Sequence, residues 1–278
     1  MDDRMADGRN DLLGDYDTLY KIMTRRLSAR RLKPDPIPDD YIDKILEAGR
    51  WAMSGANSQP WEYIVVKDPA RKQALYDAYQ QTNLDFCFWM EQMREYQLRH
   101  PAFQVQGDPK EALARMKDQS ALGRGQGWAI APAVIAVLGD GRRQWGTVQG
   151  AMTFGRHASH LTDGLANTCT HMHLAIASLG LGAQWVTIHI QEPFKRILKV
   201  PDLLDLYLII SIGYPDVGRS KPGVRRELKE IVHYEEYNPE LYMKNEDILD
   251  YLAKLRGKVM FRYQIDTYQE EKDKKGQK

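Results

Sequence analysis

Ser54-Gly55-Ala56-Asn57-Ser58-Gln59-Pro60-Trp61-Glu62-Tyr63-Ile64-Val65-Val66 joins a turn-forming run to an aromatic and β-branched one. The first half carries Gly, Asn and Pro, which permit or fix unusual backbone angles. The second half, from Trp61 to Val66, has the composition of a strand. The Asn57 and Gln59 amides, in a tight loop before a buried strand, could hydrogen-bond the edge of a heterocycle. The plain alternative is a helix-to-strand turn in which Asn57 supplies a positive φ.

Upstream, Asp39 reads as the N-cap of a helix through Tyr41, Ile42, Ile45, Leu46 and Ala48, with apolar residues recurring at three and four. Lys33-Pro34-Asp35-Pro36-Ile37-Pro38 breaks an earlier helix that starts at Asp17 and aligns Leu19, Ile22 and Met23. Residues 1–16 are polar and are expected to form a flexible arm. Downstream, residues 70–127 read as mostly helical, punctuated at His100-Pro101 and Gly107-Asp108-Pro109. Ala131 to Leu138 reads as a buried strand. A small-residue helix from Leu161 to Leu179 ends at Gly180-Leu181-Gly182, a C-cap signal. Gln184–Ile190 and Tyr207–Gly213 follow as core strands. The tail from Tyr237 is charged, with an amphipathic helix around Ile248–Leu255 and a low-complexity end over Gln269–Lys278.

With 278 residues, 43% of them hydrophobic, the chain can bury a sizeable core as one large α/β domain or two small ones. Lys and Arg number 39 against 38 Asp and Glu, a net charge of +1. That balance gives no electrostatic case for a nucleic-acid or acidic-membrane partner, so an anion site must come from local arginine clusters. Cys87 and Cys169 lie far apart and outside metal-ligand spacing, which fits a reducing cytoplasm better than a disulfide framework. The N-terminal stretch has no apolar core of a secretory signal, and Ala129–Leu138 is too short an apolar run to span a bilayer.

Three more clusters carry possible chemistry. Arg25-Arg26-Leu27-Ser28-Ala29-Arg30-Arg31 sets four guanidinia around a serine, a combination able to grip phosphate oxygens; the alternative is a solvated basic turn. Gly180-Leu181-Gly182-Ala183-Gln184-Trp185-Val186-Thr187 is a capped helix end followed by a strand that could run beside a flat ligand, or an ordinary connection. Arg225-Arg226 could return to the same phosphate, or sit in solvent. His171 and His173 are two apart on a helix and point to different faces, so they cannot chelate together. His157 and His160 are compatible with one face, with Asp163 the only carboxylate close by, and no metal is expected. Cys169 reads as a packed core thiol.

In order along the chain, "RRLSARRL…PIP", "SGANSQPW" leading into "YIVVKD", "GLGAQWVTI", and "GYP…RRELKEIVHYEEY" resemble the nitroreductase-like flavoprotein family. The resemblance extends from about Leu19 to Tyr237. Its details are similar to the branch holding iodotyrosine deiodinases and the flavin-cleaving enzyme that makes the lower ligand of vitamin B12.

The resemblance implies an α+β fold, a mixed, mostly antiparallel sheet flanked by helices, in a domain-interlocked homodimer with FMN at the interface. It divides the chain into an arm (1–16), an FMN domain (17–236) with a substrate-covering lid (85–128), and an extension (237–278) packing on the partner subunit. It assigns Arg26, Leu27, Ser28 and Arg30 to the FMN phosphate and ribityl chain, joined by Arg225. Ser54 and Asn57 would contact the flavin or its ribityl chain across the interface. Trp185, Val186 and Thr187 would line the isoalloxazine, with the Thr187 hydroxyl or amide near N5, where a donor tunes the chemistry.

The implied activity is ping-pong transfer of electrons from NAD(P)H through FMN to a small conjugated or aromatic acceptor. The alternatives are a flavin-cleaving, benzimidazole-forming or a dehalogenating enzyme, and a non-catalytic flavin-binding protein. Deiodinases grip the amino-acid zwitterion with a Glu, a Tyr and a Lys in the lid. Here Glu91, Glu95, Tyr96 and Lys117 do not reproduce that spacing, so deiodination is not carried over. Phe86, Phe88, Trp89 and Met90 suggest an aromatic-accepting lid or dimer packing. No GxGxxG follows a strand, so no separate dinucleotide domain is expected.

Overall fold

The computed structural model describes residues 9–29, 31–93, 128–143, 157–216, 225–244, 247–248 and 251, with the backbone alone for 9–13, 83–93 and 157–160. The chain divides into two compact units. The first comprises Met1–Phe88 and Leu113–Arg219, the second Trp89–Ala112 and Ser220–Lys278.

The first unit is built on a four-stranded sheet. Its elements in chain order are α1 (Arg9–Arg25), α2 (Asp39–Arg50), β1 (Trp61–Val66), α3 (Pro69–Met93), β2 (Ala133–Asp140), α4 (His157–Ser178), β3 (Gly182–Thr187), α5 (Glu192–Leu198) and β4 (Leu204–Gly213). The strand order is β1-β2-β4-β3 and every pair is antiparallel. All eight residues of β2 are buried. They alternate between two apolar clusters, because side chains on a strand point to opposite faces. Ala133, Ile135 and Val137 join Ile42 and Ile45 of α2 and Leu165, Cys169, Met172 and Ile176 of α4. Val134, Ala136 and Leu138 join Leu75 and Tyr76 of α3 and Phe194 of α5. Helices on both faces explain why this strand is apolar throughout rather than alternating.

A register shift between Val137 and Leu138 leaves Tyr207 as the extra residue of β4. Such a bulge re-aims a side chain, and the Tyr207 ring forms a T-shaped pair with Trp185 on the neighbouring strand.

β3 stands at the sheet edge, and the segment after α1 closes one end of it. Ser28 bridges Ala183 in parallel and Leu32 bridges Pro215. The Ala29 N–H donates to the Ala183 carbonyl at 2.8 Å, and the Lys33 N–H to that of Tyr214 at 2.8 Å. Arg31 and Asp216 add an ion pair at 2.8 Å. Gly182 is required for this approach, since a Cβ there would lie 2.7 Å from the Ala29 Cβ and 3.0 Å from the Pro215 Cγ. Gly182→Ala is therefore expected to cost about 1–3 kcal/mol by overpacking and to displace Ser28. A thermal melt superimposable on that of the wild type would contradict this packing.

The expected strand at 61–66 forms as read, and the other strands form with shifted ends. α4 starts at His157, and Gly180 caps the chain with φ 76° after Ser178. α1 begins at Arg9, well before Asp17, so the helix runs into the stretch expected to be an arm; Tyr16 and Tyr20 stack one turn apart along it at 6.0 Å. Asp39 is the first residue of α2 rather than its cap, and its carboxylate accepts from the Lys67 ammonium instead. The short α5, opened by Glu192-Pro193, has no counterpart in the sequence reading. Of the region 85–128, residues 94–127 lie outside the described residues, as do the side chains of Phe86, Phe88, Trp89, Met90 and Glu91.

Within the second unit, residues 225–244 form two 3₁₀ turns, Leu228–Glu230 and Pro239–Leu241. Glu227 and Glu230 cap the first reciprocally. The His233 ring stacks on Tyr237 at 4.2 Å and its Nδ1 accepts from the Asn238 N–H at 3.1 Å. Of the helix expected around Ile248–Leu255, only Ile248 and Tyr251 are described.

Candidate functional site

Two groups of side chains in the first unit carry recognisable chemistry, and both rest on α4. The first gathers at the β3 edge. Arg26 continues the last turn of α1, its N–H donating to the Ile22 carbonyl at 3.0 Å, and Ser28 lies exposed where the chain joins β3. Leu27 is half-buried against the α3/α5 cluster. Trp185, 37% exposed, keeps part of its indole in solvent. One side of that indole rests on the His173 ring of α4, with centroids 5.9 Å apart and planes 21° apart, while Tyr207 meets it edge-on at 5.9 Å. An aromatic ring fixed from behind and from the side is a platform on which a flat ligand can stack.

Alternation along β3 separates the residues assigned to the flavin. Thr187, exposed at the strand end, shares the Trp185 face. The Val186 side chain is 1% exposed and packs in the cluster that holds Phe194. Val186 therefore has only its backbone to offer a ligand. Beyond Thr187 a cavity of about 230 Å³ opens between α4 and the strand ends, lined by Leu161, Leu165, Ile188, His189, Asp205 and Tyr207.

The second group is the Ser54–Pro60 loop. Ala56, Asn57 and Gln59 all have positive φ, at 51°, 52° and 47°. Such conformations cost of the order of 1–3 kcal/mol each in non-glycine residues and cluster where ligands are held. The expected positive φ at Asn57 is present, with two further ones at Ala56 and Gln59 that residue type does not announce. The Ser54 Oγ accepts from the Gln59 N–H at 2.9 Å, and the Asn57 Oδ1 accepts from the Gln59 side chain at 3.2 Å. Among the described residues no acceptor is shown for the Ser54 O–H or the Asn57 Nδ2. The Asn167 Nδ2 of α4 donates to the Met53 carbonyl at 3.1 Å, and the Asp140 N–H to that of Pro60 at 2.7 Å. A cavity of about 450 Å³ is lined by Ser54, Asn57 and Gln59 together with Arg50, Trp51 and Met53.

The two groups lie apart within one chain. The loop is anchored at Asn167 and the platform at His173, about 9 Å apart along α4 at 1.5 Å per residue. Arg30 lies outside the described residues, and Arg225 is exposed in the second unit.

His173 enters the sequence reading only as half of a metal pair. It is 5% exposed, and neither ring nitrogen has a hydrogen-bond partner among the described residues. Burial, with Arg26 adding to it, pushes its pKa down to about 4, so the ring is neutral near pH 7. Its spacing of four from Cys169 and three from Ile176, both buried, is the sequence signal that it faces the core. Burial pushes the Cys169 thiol up to about 12, which leaves it an inert packing group. Among the described residues no three His, Cys, Asp or Glu side chains are grouped to hold a metal ion, and no helix is long and apolar enough to cross a membrane.

The chain matches the nitroreductase family over residues 23–214. It is 27% identical over 214 residues to the NADH dehydrogenase of Thermus thermophilus, covering 75% of this chain and 91% of that protein. It is 24% identical over 210 residues to the 5,6-dimethylbenzimidazole synthase of Rhodospirillum rubrum, covering 76% and 88%. Its fold is similar to that of a crystal structure of oxidised iodotyrosine deiodinase bound to FMN and 3-iodo-L-tyrosine, with a TM-score of 0.56 at 21% identity over 79% and 100% of the two chains. The chain belongs to the nitroreductase family, and with it to an α+β class of oxidoreductases.

Proposed function

We propose that the chain binds FMN and passes electrons from NAD(P)H to a small conjugated or aromatic acceptor by a ping-pong mechanism, as a homodimer. The observation that supports this is the half-open Trp185 indole on β3, the edge strand that Ser28 bridges at Ala183, with Arg26 two residues before Ser28. A flat heterocycle with an anionic tail fits that pairing, because the indole offers stacking and the guanidinium a forked donor. When bound, FMN supplies a carrier that accepts a hydride equivalent and gives it up again.

The chain's own residues bind, orient and shield. Arg26 and Ser28 would hold the phosphate end, with Arg30 and Arg225 as further cations, and Leu27 would pack beside the ribityl chain. Trp185 would bear the ring, the Val186 backbone would line it, and Thr187 would donate a hydrogen bond at the ring nitrogen N5. Ser54 and Asn57, separated from this set along α4, would serve the cofactor held by the partner subunit. Exposed apolar side chains support pairing of chains: Tyr16, Leu19, Tyr20 and Met23 on α1, and Trp51 and Met53 beside the loop cavity, 70% and 72% exposed.

The test is anaerobic addition of NADH, then NADPH, to the FMN-loaded protein, followed by an aromatic nitro compound or quinone. The flavin absorption bands are expected to bleach with a nicotinamide and return with the acceptor. Bands that persist with both nicotinamides would contradict the proposed electron donor. Likeness to the benzimidazole synthase supports a second reading. Under it, FMN would disappear in air and a benzimidazole would form without any added acceptor.

A further inference from the structure

The Ser54–Pro60 loop keeps an unfavourable shape, and a helix far along the chain braces it. Ala56, Asn57 and Gln59 hold φ at 51°, 52° and 47°. Of the three, only Asn is a residue type that tolerates this region. Hydrogen bonds inside the loop, such as that from the Gln59 N–H to the Ser54 Oγ at 2.9 Å, tie its parts to one another but not to the fold. One face of α4 supplies a tie to the fold, where Gly164, Asn167 and Thr168 stand at spacings of three and four. Gly164 lets the loop rest on the helix: a Cβ there would lie 3.4 Å from the Ser54 Cβ and 3.3 Å from the Pro60 Cγ. The Thr168 Oγ1 donates to the Gly49 carbonyl at 2.9 Å in the core and meets the Tyr63 phenol, which locks α4 to the end of α2. Asn167 reaches beyond that lock, its Nδ2 donating to the Met53 carbonyl at 3.1 Å at the loop entrance. This bond is exposed, so water can replace it and the core does not depend on it. A side chain that braces a strained segment rather than the core points to a part in shaping the site.

We propose that Asn167 is a positioning residue for flavin binding: it holds the Ser54–Pro60 loop in its strained shape, so that Ser54 and Asn57 are already presented to the cofactor. Without the brace the loop relaxes, and binding must first restore the positive φ angles. Apparent affinity then falls with the fraction of chains still in the competent shape. The proposal rests on the assignment of this loop to FMN and extends it to a side chain that acts through the loop rather than on the ligand.

The test titrates FMN into wild type, Asn167→Ala, Ala56→Gly and the Asn167→Ala/Ala56→Gly double variant, with a thermal melt of each. Asn57→Gly, which removes the amide yet keeps the positive φ accessible, is the control on the loop. Asn167→Ala should raise the FMN Kd about three- to tenfold, the reach of one hydrogen bond, while its melt moves by about 4 °C or less. Glycine adopts positive φ without strain, so the double variant should regain most of the affinity although no contact has been restored. An FMN Kd unchanged in Asn167→Ala, where Asn57→Gly weakens binding, would overturn the proposal and leave the loop assignment standing. Affinity that the glycine does not return would overturn it too, since Asn167 would then act by contact. An Asn167→Ala protein that fails to fold, or melts much lower, would make Asn167 a structural residue and overturn it equally. FMN binding that Asn57→Gly leaves unchanged would remove the loop from the site, and wild type that binds no FMN would sink the cofactor assignment; the proposal falls with either.

Discussion

Arg26→Ala is expected to weaken FMN binding by about 10- to 150-fold, the range of a lost hydrogen bond to a charged group. Arg26 is half-buried just past the end of α1, two residues before Ser28 bridges β3, and its charge helps to hold the His173 pKa down. With a net charge of +1 the protein has no general attraction for anions, so the effect must be local. Arg26→Lys keeps the charge and loses the fork, and should recover only part of the affinity. Equilibrium titration at fixed salt measures both. An FMN Kd that is the same in Arg26→Ala and wild type would show that the phosphate is held elsewhere.

Phe194→Ala is expected to cost about 3–5 kcal/mol, a large share of the ~5–15 kcal/mol that stabilises a typical domain. Phe194 is fully buried on α5 and fills the cluster that holds Val186, Leu204 and Leu206. Val186 is the buried half of the strand whose other face carries Trp185, so the cavity left by Phe194 undermines the platform from behind. Denaturant unfolding should show the full loss, with weaker flavin binding in the fraction that still folds. A loss below about 1 kcal/mol would mean that α5 does not close this side of the core.

Most of the sheet was legible because burial leaves its mark on composition. Trp61–Val66 is aromatic and β-branched, and β2 is apolar throughout because helices cover both its faces. The end of α4 was legible from Gly180, whose positive φ is a local property. Short or non-local features were not. α5 spans Glu192–Leu198, too few residues for a helical period to show, and its Pro193 resembles a breaker until it is placed in the first turn. The start of α1 is hidden because the Asp and Gly residues before Asp17 read as loop.

The site divides the same way. Arg26, Ser28 and Trp185 are proposed as site residues through the order of the motifs; β3 is bridged by Ser28 and carries Trp185. Ser54 and Asn57 do line a cavity. The resemblance already put them across the interface from Arg26 and Trp185; their anchoring by Asn167 of α4 was not legible, because it depends on how the helix crosses the sheet. Motif order groups Val186 with Trp185 and Thr187 as one wall, although strand alternation sends it to the opposite face. His173 could not be placed under Trp185 from spacing alone. That contact joins a helix to the strand that follows it, with Tyr207 at the β4 bulge packed against the same indole. The strain at Ala56 and Gln59 has no signal in residue type, since neither residue favours a positive φ.

The most direct test of the central claim is titration of the purified, flavin-free protein with FMN, following flavin absorbance and the Trp185 contribution to fluorescence by comparison with Trp185→Leu. The expected result is saturation at one FMN per chain, with perturbed flavin bands and quenching that is lost in Trp185→Leu. Flavin bands that stay those of free FMN at every ratio would contradict the account, and Arg26, Ser28 and Trp185 would then be only the edge of a sheet.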